Sequence, residues 1–371
     1  MRVVLFAHSL ASCWNHGNAH FLRGVLRALV ARGHEVRAYE RVDAWSRSNL
    51  IADHGERALA RFPDIPLIVY DSSFDPAAAV ADADLVLVHE WTEPGLVARL
   101  GRLRAHGGHF VLLFHDTHHR AISDPAAIRA FDLDGYDGVL AFGRALAEVY
   151  RRWGWRDRAF VWHEAADITL FRPPAAEHGR EGLVWIGNFG DGERSAELHE
   201  FLLAPAAAAG MPPDVWGVRY PPEALEALAA RGARHHGWLP NAHVPEVFAR
   251  HLATVHVPRR FYARLLPGIP TIRVFEALAC GIPLACAPWH DSEGLFRPGR
   301  DFLVARNGAE MTQHLRALAG DGALRASLAA NGLARISARH TCGHRADELL
   351  AIVATIAGTR RETAICSLGF A

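Results

Sequence analysis

Short apolar runs alternate with longer amphipathic stretches along most of the chain. The runs "RVVLFA" (2–7), "HEVRAYE" (34–40), "LIVYD" (67–71), "ADLVLVHE" (83–90), "HFVLLFHD" (109–116), "DGVLAFG" (137–143) and "RAFVWHE" (158–164) have the length and residue types of strands. Between them, "AHFLRGVLRALVARG" (19–33) and "GLVARLGRLRAHG" (95–107) place apolar side chains at helical spacing and close on glycine. Apolar strands separated by helices predict a mainly parallel sheet covered on both faces.

The rhythm breaks at the proline-, alanine- and charge-rich "ADITLFRPPAAEHGREG" (166–182), which reads as a link between domains. A second series follows. Its strands are "GLVWIG" (182–187), "PDVWGV" (213–218), "RHHGW" (234–238), "LATVHVP" (252–258) and "IPLACAP" (282–288). Helices are expected near 195–209, 222–232, 244–250, 271–280, 309–319 and 321–337. "HRADELLAIVATIAG" (344–358) is the last strong helix, and "TRRETAICSLGFA" has no clear assignment. The expected divisions are a first domain over 1–170, a link at 171–181, a second domain over 182–338, a terminal helix within 339–358 and a tail over 359–371.

Composition narrows the class. The 371 residues suffice for two domains, and a half-hydrophobic composition fits globular packing. Forty basic and forty acidic residues cancel, giving no electrostatic case for nucleic acid or an anionic membrane. Five cysteines without CxxC spacing suggest neither a disulfide framework nor a zinc site, so a reduced cytoplasmic compartment is expected. No stretch approaches the ~20 apolar residues of a membrane span.

In doubly wound sheets ligands bind outside the carboxyl ends of strands. That singles out "AHSLASCWNHGNAH", "HEWTEPG", "HDTHHR" and "HEAAD" in the first domain, and "GNFGDGERS", "GVRYPP", "PRRFYARLLPG" and "APWHDSEG" in the second. "PGIPTIRVFEALACGIPLACAPW" (267–289) adds a lone carboxylate, Glu276, three residues after Arg273 in an otherwise apolar helix. The helix start near Pro270 places it close to the positive end of the helix dipole.

Several of these segments resemble glycosyltransferases of the GT-B fold, group 1, and within them the CgeB-like, spore-maturation branch. "RVFEALACGIPLACAPW" is similar to the family's donor-binding helix and strand, and "LVWIGNFGDGERSAEL" to the opening of its donor domain. "DGVLAFGRALAEVYRRWGW…VWHEAADITLFRPP", "GWLPNAHVPEVFARH", "VHVPRR" and "SEGLFRPGRDFLVARNGAEM" extend the likeness over about 137–350. The resemblance implies two Rossmann-like domains facing a cleft, with a terminal helix that crosses back to the first domain. The two chain crossings would make a hinge. It also implies transfer of a sugar from a nucleoside-diphosphate sugar, by default a UDP-sugar, to an unidentified acceptor, without metal or other cofactor. A catalytically degenerate nucleotide-sugar-binding protein and a sugar-nucleotide epimerase are the alternatives.

The resemblance assigns Glu276 to the ribose hydroxyls. For the diphosphate it points to the loop Gly187, Asn188, Phe189 and Gly190, with Arg194, Arg219, Arg259, Arg260 and Arg273 as basic partners. Gly268 stands where the family usually has a second glutamate; its backbone N–H is the group left to approach a ligand. His16, beside His20 in the first loop, and His115 with Asp116 at the end of "HFVLLFHD" are the acid–base candidates. The cluster His115, Asp116, His118, His119 does not put three metal ligands on one helical face.

Overall fold

The apolar runs become buried strands because both faces of each sheet are covered. The computed structural model describes residues 1–174, 179–190 and 192–368, with side chains described to residue 360. The chain divides into two compact units. Unit 1 comprises Met1–Ser12, Leu22–His163 and Gly343–Ala371, and unit 2 comprises Cys13–Phe21 and Glu164–Cys342.

Unit 1 holds β1 (Arg2–Ala7), β2 (Glu35–Arg41), β3 (Leu67–Tyr70), β4 (Leu85–His89), β5 (Val111–Asp116), β6 (Gly138–Ala141) and β7 (Ala159–Val161). Their order is β3-β2-β1-β4-β5-β6-β7, and the pairings are parallel. β4 and β6 are buried at every position, which is why they read as continuous apolar runs rather than alternating ones.

Unit 2 holds β8 (Leu183–Ile186), β9 (Pro213–Trp216), β10 (Arg234–His235), β11 (Ala253–His256), β12 (Leu284–Cys286) and β13 (Leu303–Val304), again parallel, in the order β10-β9-β8-β11-β12-β13. Leu183, Trp185, Val215, Ala253 and Val255 meet Leu198, Leu202, Met311 and Leu315 of the covering helices in its core. The two-residue β13 escaped the sequence reading because so short a segment carries no period.

Three expected boundaries move. Unit 2 begins at Glu164 rather than after 170, because this stretch is tied into it: Ala166 bridges to Thr341 and the Phe171 ring lies 4.4 Å from that of His20. Of the expected link, residues 175–178 lie outside the described ones. The loop 13–21, expected in the first domain, is counted with unit 2. The terminal helix runs Cys342–Leu368, through most of the expected tail, because no proline or glycine interrupts "TRRETAICSL"; residues 369–371 are outside the described ones. This helix packs in unit 1. Ala346 and Leu349 are buried, Trp162 Nε1 donates to the Arg345 carbonyl at 2.8 Å, and Arg32 forks onto Asp347 at 2.7 and 2.8 Å.

Candidate functional site

Both sheets reverse direction after their third strand in space. Loops leaving β1 and β4 in unit 1, and β8 and β11 in unit 2, therefore diverge and leave a crevice at each carboxyl edge.

In unit 2 the loop after β8 is organised by Asn188. Arg194 Nη2 donates to its carbonyl and to its Oδ1, both at 2.8 Å, while Arg194 Nη1 reaches the Val257 carbonyl beyond β11 at 3.0 Å. Arg259 Nη2 lies 3.4 Å from the same Oδ1, and its Nη1 pairs with Glu193 at 2.6 Å. The Asn188 amide donates to Asn15 Oδ1 at 2.6 Å. Gly190, at φ 95°, permits the close pass of Arg194: a Cβ there would meet Arg194 Cγ at 2.4 Å. Phe189 turns inward beside Tyr220. Burial, Arg259 and then Arg273 push the Arg194 pKa down to about 9, so these guanidinium groups repel one another.

Glu276 lies in the second turn of the helix Ile272–Ala279, not the first, and is 0% exposed. The helix dipole therefore does little for it, and its neighbours matter more. Arg273 pairs with it one turn earlier, and His20 Nδ1 is 3.0 Å from its Oε1 and 3.0 Å from the Gly17 carbonyl. The His20 approach is not directed as a hydrogen bond, so Glu276 Oε1 lacks a donor among the described residues. Arg273 Nη1 is engaged in the ion pair, while Arg194 Nε and His256 Nδ1 find no hydrogen-bond partner there. His256, at the end of β11, meets Thr271 Oγ1 at 2.9 Å; burial and then Arg194 and Arg273 press its pKa to about 3, so it is neutral. Glu164 completes the group. Its pKa rises well above the carboxyl range through burial and then Glu276, and its carboxyl takes the Ile272 backbone N–H at the start of the helix. Sequence does not reveal Glu164 and His256, because their roles depend on contacts about a hundred and about fifteen residues away; "HEAAD" shows only a loop at a strand end.

The remaining donor candidates disperse. Arg260 forks onto Glu197 at 2.8 and 3.0 Å. Arg219 is an exposed residue in the left-handed region at φ 62°. The Gly268 N–H, expected to face a ligand, donates instead to the His290 carbonyl at 2.6 Å. Its φ of 88° suits glycine, and a Cβ would meet Ser292 Oγ at 2.5 Å.

The acid–base candidates separate too. His16 belongs to the 13–21 segment of unit 2. His115 and Asp116 end β5 in unit 1. His115 is buried edge-on against Trp162, 4.8 Å between centroids, and burial presses its pKa to about 3, far from the expected value near 6.5. Asp116 accepts from Tyr150 Oη at 2.6 Å. Its carboxyl meets that of Glu90, and burial of both makes the pair hold a proton above the usual range, with Glu90 raised to about 8 by burial and then by Asp116. Among the described residues no three His, Cys, Asp or Glu side chains converge as metal ligands, and no helix is long and apolar enough to cross a membrane.

Residues 194–351 match the family described as glycosyl transferase-like. No curated protein matches the chain. Solved structures do, over nearly their whole length. HepE of Anabaena in complex with UDP is 15% identical with a TM-score of 0.66, over 96% of this chain and 100% of its own. Sucrose-phosphate synthase of Thermosynechococcus elongatus is 16% identical with a TM-score of 0.63, over 99% and 100%. T4 phage BGT in complex with UDP and Mn2+ is 13% identical with a TM-score of 0.63, over 95% and 99%. At these identities the likeness establishes the fold: two parallel-sheet Rossmann-like domains of the GT-B kind.

Proposed function

We propose that this protein is a glycosyltransferase that takes a sugar from a UDP-sugar held at the β8–β11 crevice and passes it to an acceptor. One observation carries the reading: the unsatisfied buried groups of that crevice are both donors and acceptors. Buried polar atoms normally find partners. Arg194 Nε offers an N–H group, and Glu276 Oε1 awaits a donor beside the Arg273 ion pair. A nucleoside diphosphate brings the complement, since phosphate oxygens accept from guanidinium groups and ribose hydroxyls donate to a carboxylate. Its negative charge would also relieve the repulsion that depresses Arg194. The match over 194–351 and the UDP complex of HepE support the same choice.

On this reading the arginines stabilise the charge that builds on the leaving diphosphate, the task of a preorganised electrostatic site. His20, seated on Glu276, has to yield to the ribose. His115 is too weak a base near neutral pH; His16, in the segment covering Glu276, and the Glu90–Asp116 pair remain as groups able to take the acceptor proton. The diphosphate site is proposed to work without metal. Retention of activity in excess chelator supports this, and reversible loss overturns it; the Mn2+ in the phage neighbour makes the test necessary.

Calorimetric titration with UDP and UDP-glucose tests the donor site. Saturable binding that weakens in Glu276→Gln is expected; equal affinity in the variant would remove Glu276 from the site. A non-catalytic nucleotide-sugar-binding protein is the second reading, favoured by the engaged Gly268 amide and by the covered Glu276. Release of UDP from UDP-glucose over many turnovers rules it out.

A further inference from the structure

We propose that the β1–β4 crevice of unit 1 carries a carbohydrate-binding platform built on Trp91 and Trp45 about His8, so that the acceptor is itself a neutral sugar. This inference rests on the transferase reading and names the substrate class of its acceptor side.

The position comes from topology. His8 follows β1, Trp91 lies two residues past β4, and Trp45 lies four residues past β2, the strand beside β1. The two indoles thus stand at the switch point and on its neighbour, where open α/β sheets bind ligands. His8 joins them: its Nε2 accepts the Ser46 backbone N–H at 3.2 Å, and its ring lies 6.3 Å from that of Trp91.

Trp91 is mounted on a rigid support. The Arg120 guanidinium lies 3.7 Å from the indole centroid. Arg120 Nη2 is fixed to Glu90 Oε2 at 2.8 Å and to the Glu90 carbonyl at 3.0 Å. Glu90 is 0% exposed, and its Oε1 accepts the Thr117 N–H at 3.0 Å and hydroxyl at 3.1 Å. His118 stands edge-on to the indole at 5.5 Å. A buried carboxylate, a stacked guanidinium and an indole are thus built in sequence from inside to outside. Yet Trp91 is 43% exposed and Trp45 45%, in a chain that buries Trp162 completely. Leaving large apolar rings in water forgoes the stability that burial would supply, and a ligand surface can recover it.

The chemistry of the crevice selects the ligand. An indole face is the negative side of a quadrupole, suited to the C–H face of a pyranose. Imidazole nitrogens beside it suit the ring hydroxyls. Burial lowers the His8 pKa to about 4, so it is neutral at pH 7. The nearby cations are committed: Arg120 to Glu90, Arg41 to Glu93 and Asp43, and Arg47 to Glu40. A phosphate-bearing strand or an acidic peptide would find its counter-charges already taken, whereas a neutral sugar needs none.

Saturation-transfer NMR on the full chain tests this, with methyl glucoside, methyl galactoside, maltose and cellobiose as probes. Transfer concentrated on ring C–H protons is expected, with affinity at least ~10-fold weaker in Trp91→Ala and partly restored in Trp91→Phe. Trp45→Ala should weaken the disaccharides more than the methyl glycosides. Binding unaltered in Trp91→Ala overturns the platform, as does a panel with no binder, including the case where an oligonucleotide or peptide binds instead. Calorimetry with UDP on the unsubstituted protein separates the two readings. UDP binding without saccharide binding sinks this inference alone. Trp91-dependent saccharide binding without UDP binding supports the platform and sinks the donor site.

Discussion

The two units share the order of six strands, with a seventh, β7, added at one edge of unit 1, and one kind of crevice, and they fill it oppositely. Unit 2 gathers guanidinium groups that repel each other about Asn188 and a buried Glu276. Unit 1 gathers carboxyls, Glu90 and Asp116, which must share a proton, and puts indoles and the neutral His8 imidazole at the rim. Topology decides where a ligand can sit, and the loop side chains decide which one.

The sharpest way to break the comparison is to remove residues 343–371. Unit 1 should lose the burial of Ala346, Leu349, Val353 and Ile356 and the partner of the Trp162 N–H, while unit 2 keeps all of its strands. At ~1.5–3 kcal/mol for each large apolar side chain, unit 1 should lose about 5 kcal/mol or more. Thermal unfolding should then show an early transition beside a persistent one; a single unchanged transition would mean the helix contributes little.

The next effect lies at Glu276. Replacement by glutamine should weaken UDP binding by about 1.5–3 kcal/mol, roughly 10- to 150-fold, the range for hydrogen bonds to a charged group. Alanine should add a stability loss, because Arg273 is left buried without its partner. Calorimetry and thermal shift on both variants separate binding from folding.

The carboxyl pair of unit 1 gives a pH signature, and the raised Glu164 of unit 2 adds to it in the same sign. A raised carboxyl pKa means stability is present at low pH and lost as pH climbs through the folded value, here from 4.5 toward about 8. The depressed histidines His8, His115 and His256 act oppositely, adding stability as pH rises, and are complete by about 6.5. Between about pH 6.5 and 8 stability should therefore fall, by about 1–2 kcal/mol at 1.36 per pKa unit. Glu90→Gln should flatten the slope; an unaltered slope would assign it elsewhere.

The smallest effect is at Gly268. Alanine there must adopt φ 88° and displace Ser292, a cost of about 1–2 kcal/mol in melting experiments with little change in UDP affinity. A large loss of affinity at unchanged stability would return the Gly268 backbone to the donor site.

How much was legible follows from how each feature is encoded. Buried parallel strands announce themselves as apolar runs, so β1, β4, β5 and β8 lay where the runs predicted. Glu276 and Arg194 stood out because charge in an apolar or glycine-rich setting is a local signal. Glu164 did not, because its partner is the amide of Ile272, and His115 reads as an acid–base candidate because burial leaves no mark in the residues beside it. The 13–21 loop followed β1 in sequence and was read with β1. Its contacts, Asn15 to Asn188 and His20 to Glu276, span more than 170 residues. Sequence periodicity reports neighbours along the chain, and these sites are made by neighbours across it.

The terminal helix has a consequence for how the molecule is made. A ribosome releases β1 to β7 before the strands of unit 2, yet the helix that covers Trp162 and pairs with Arg32 is encoded after all of them. Unit 2 already has every strand, and its 13–21 segment, once Cys342 has emerged. The half synthesised first therefore matures last, waiting with an uncovered apolar strip while the younger half closes. That wait is when aggregation competes with folding, and a stalled or truncated message would yield a chain whose older half had never been finished.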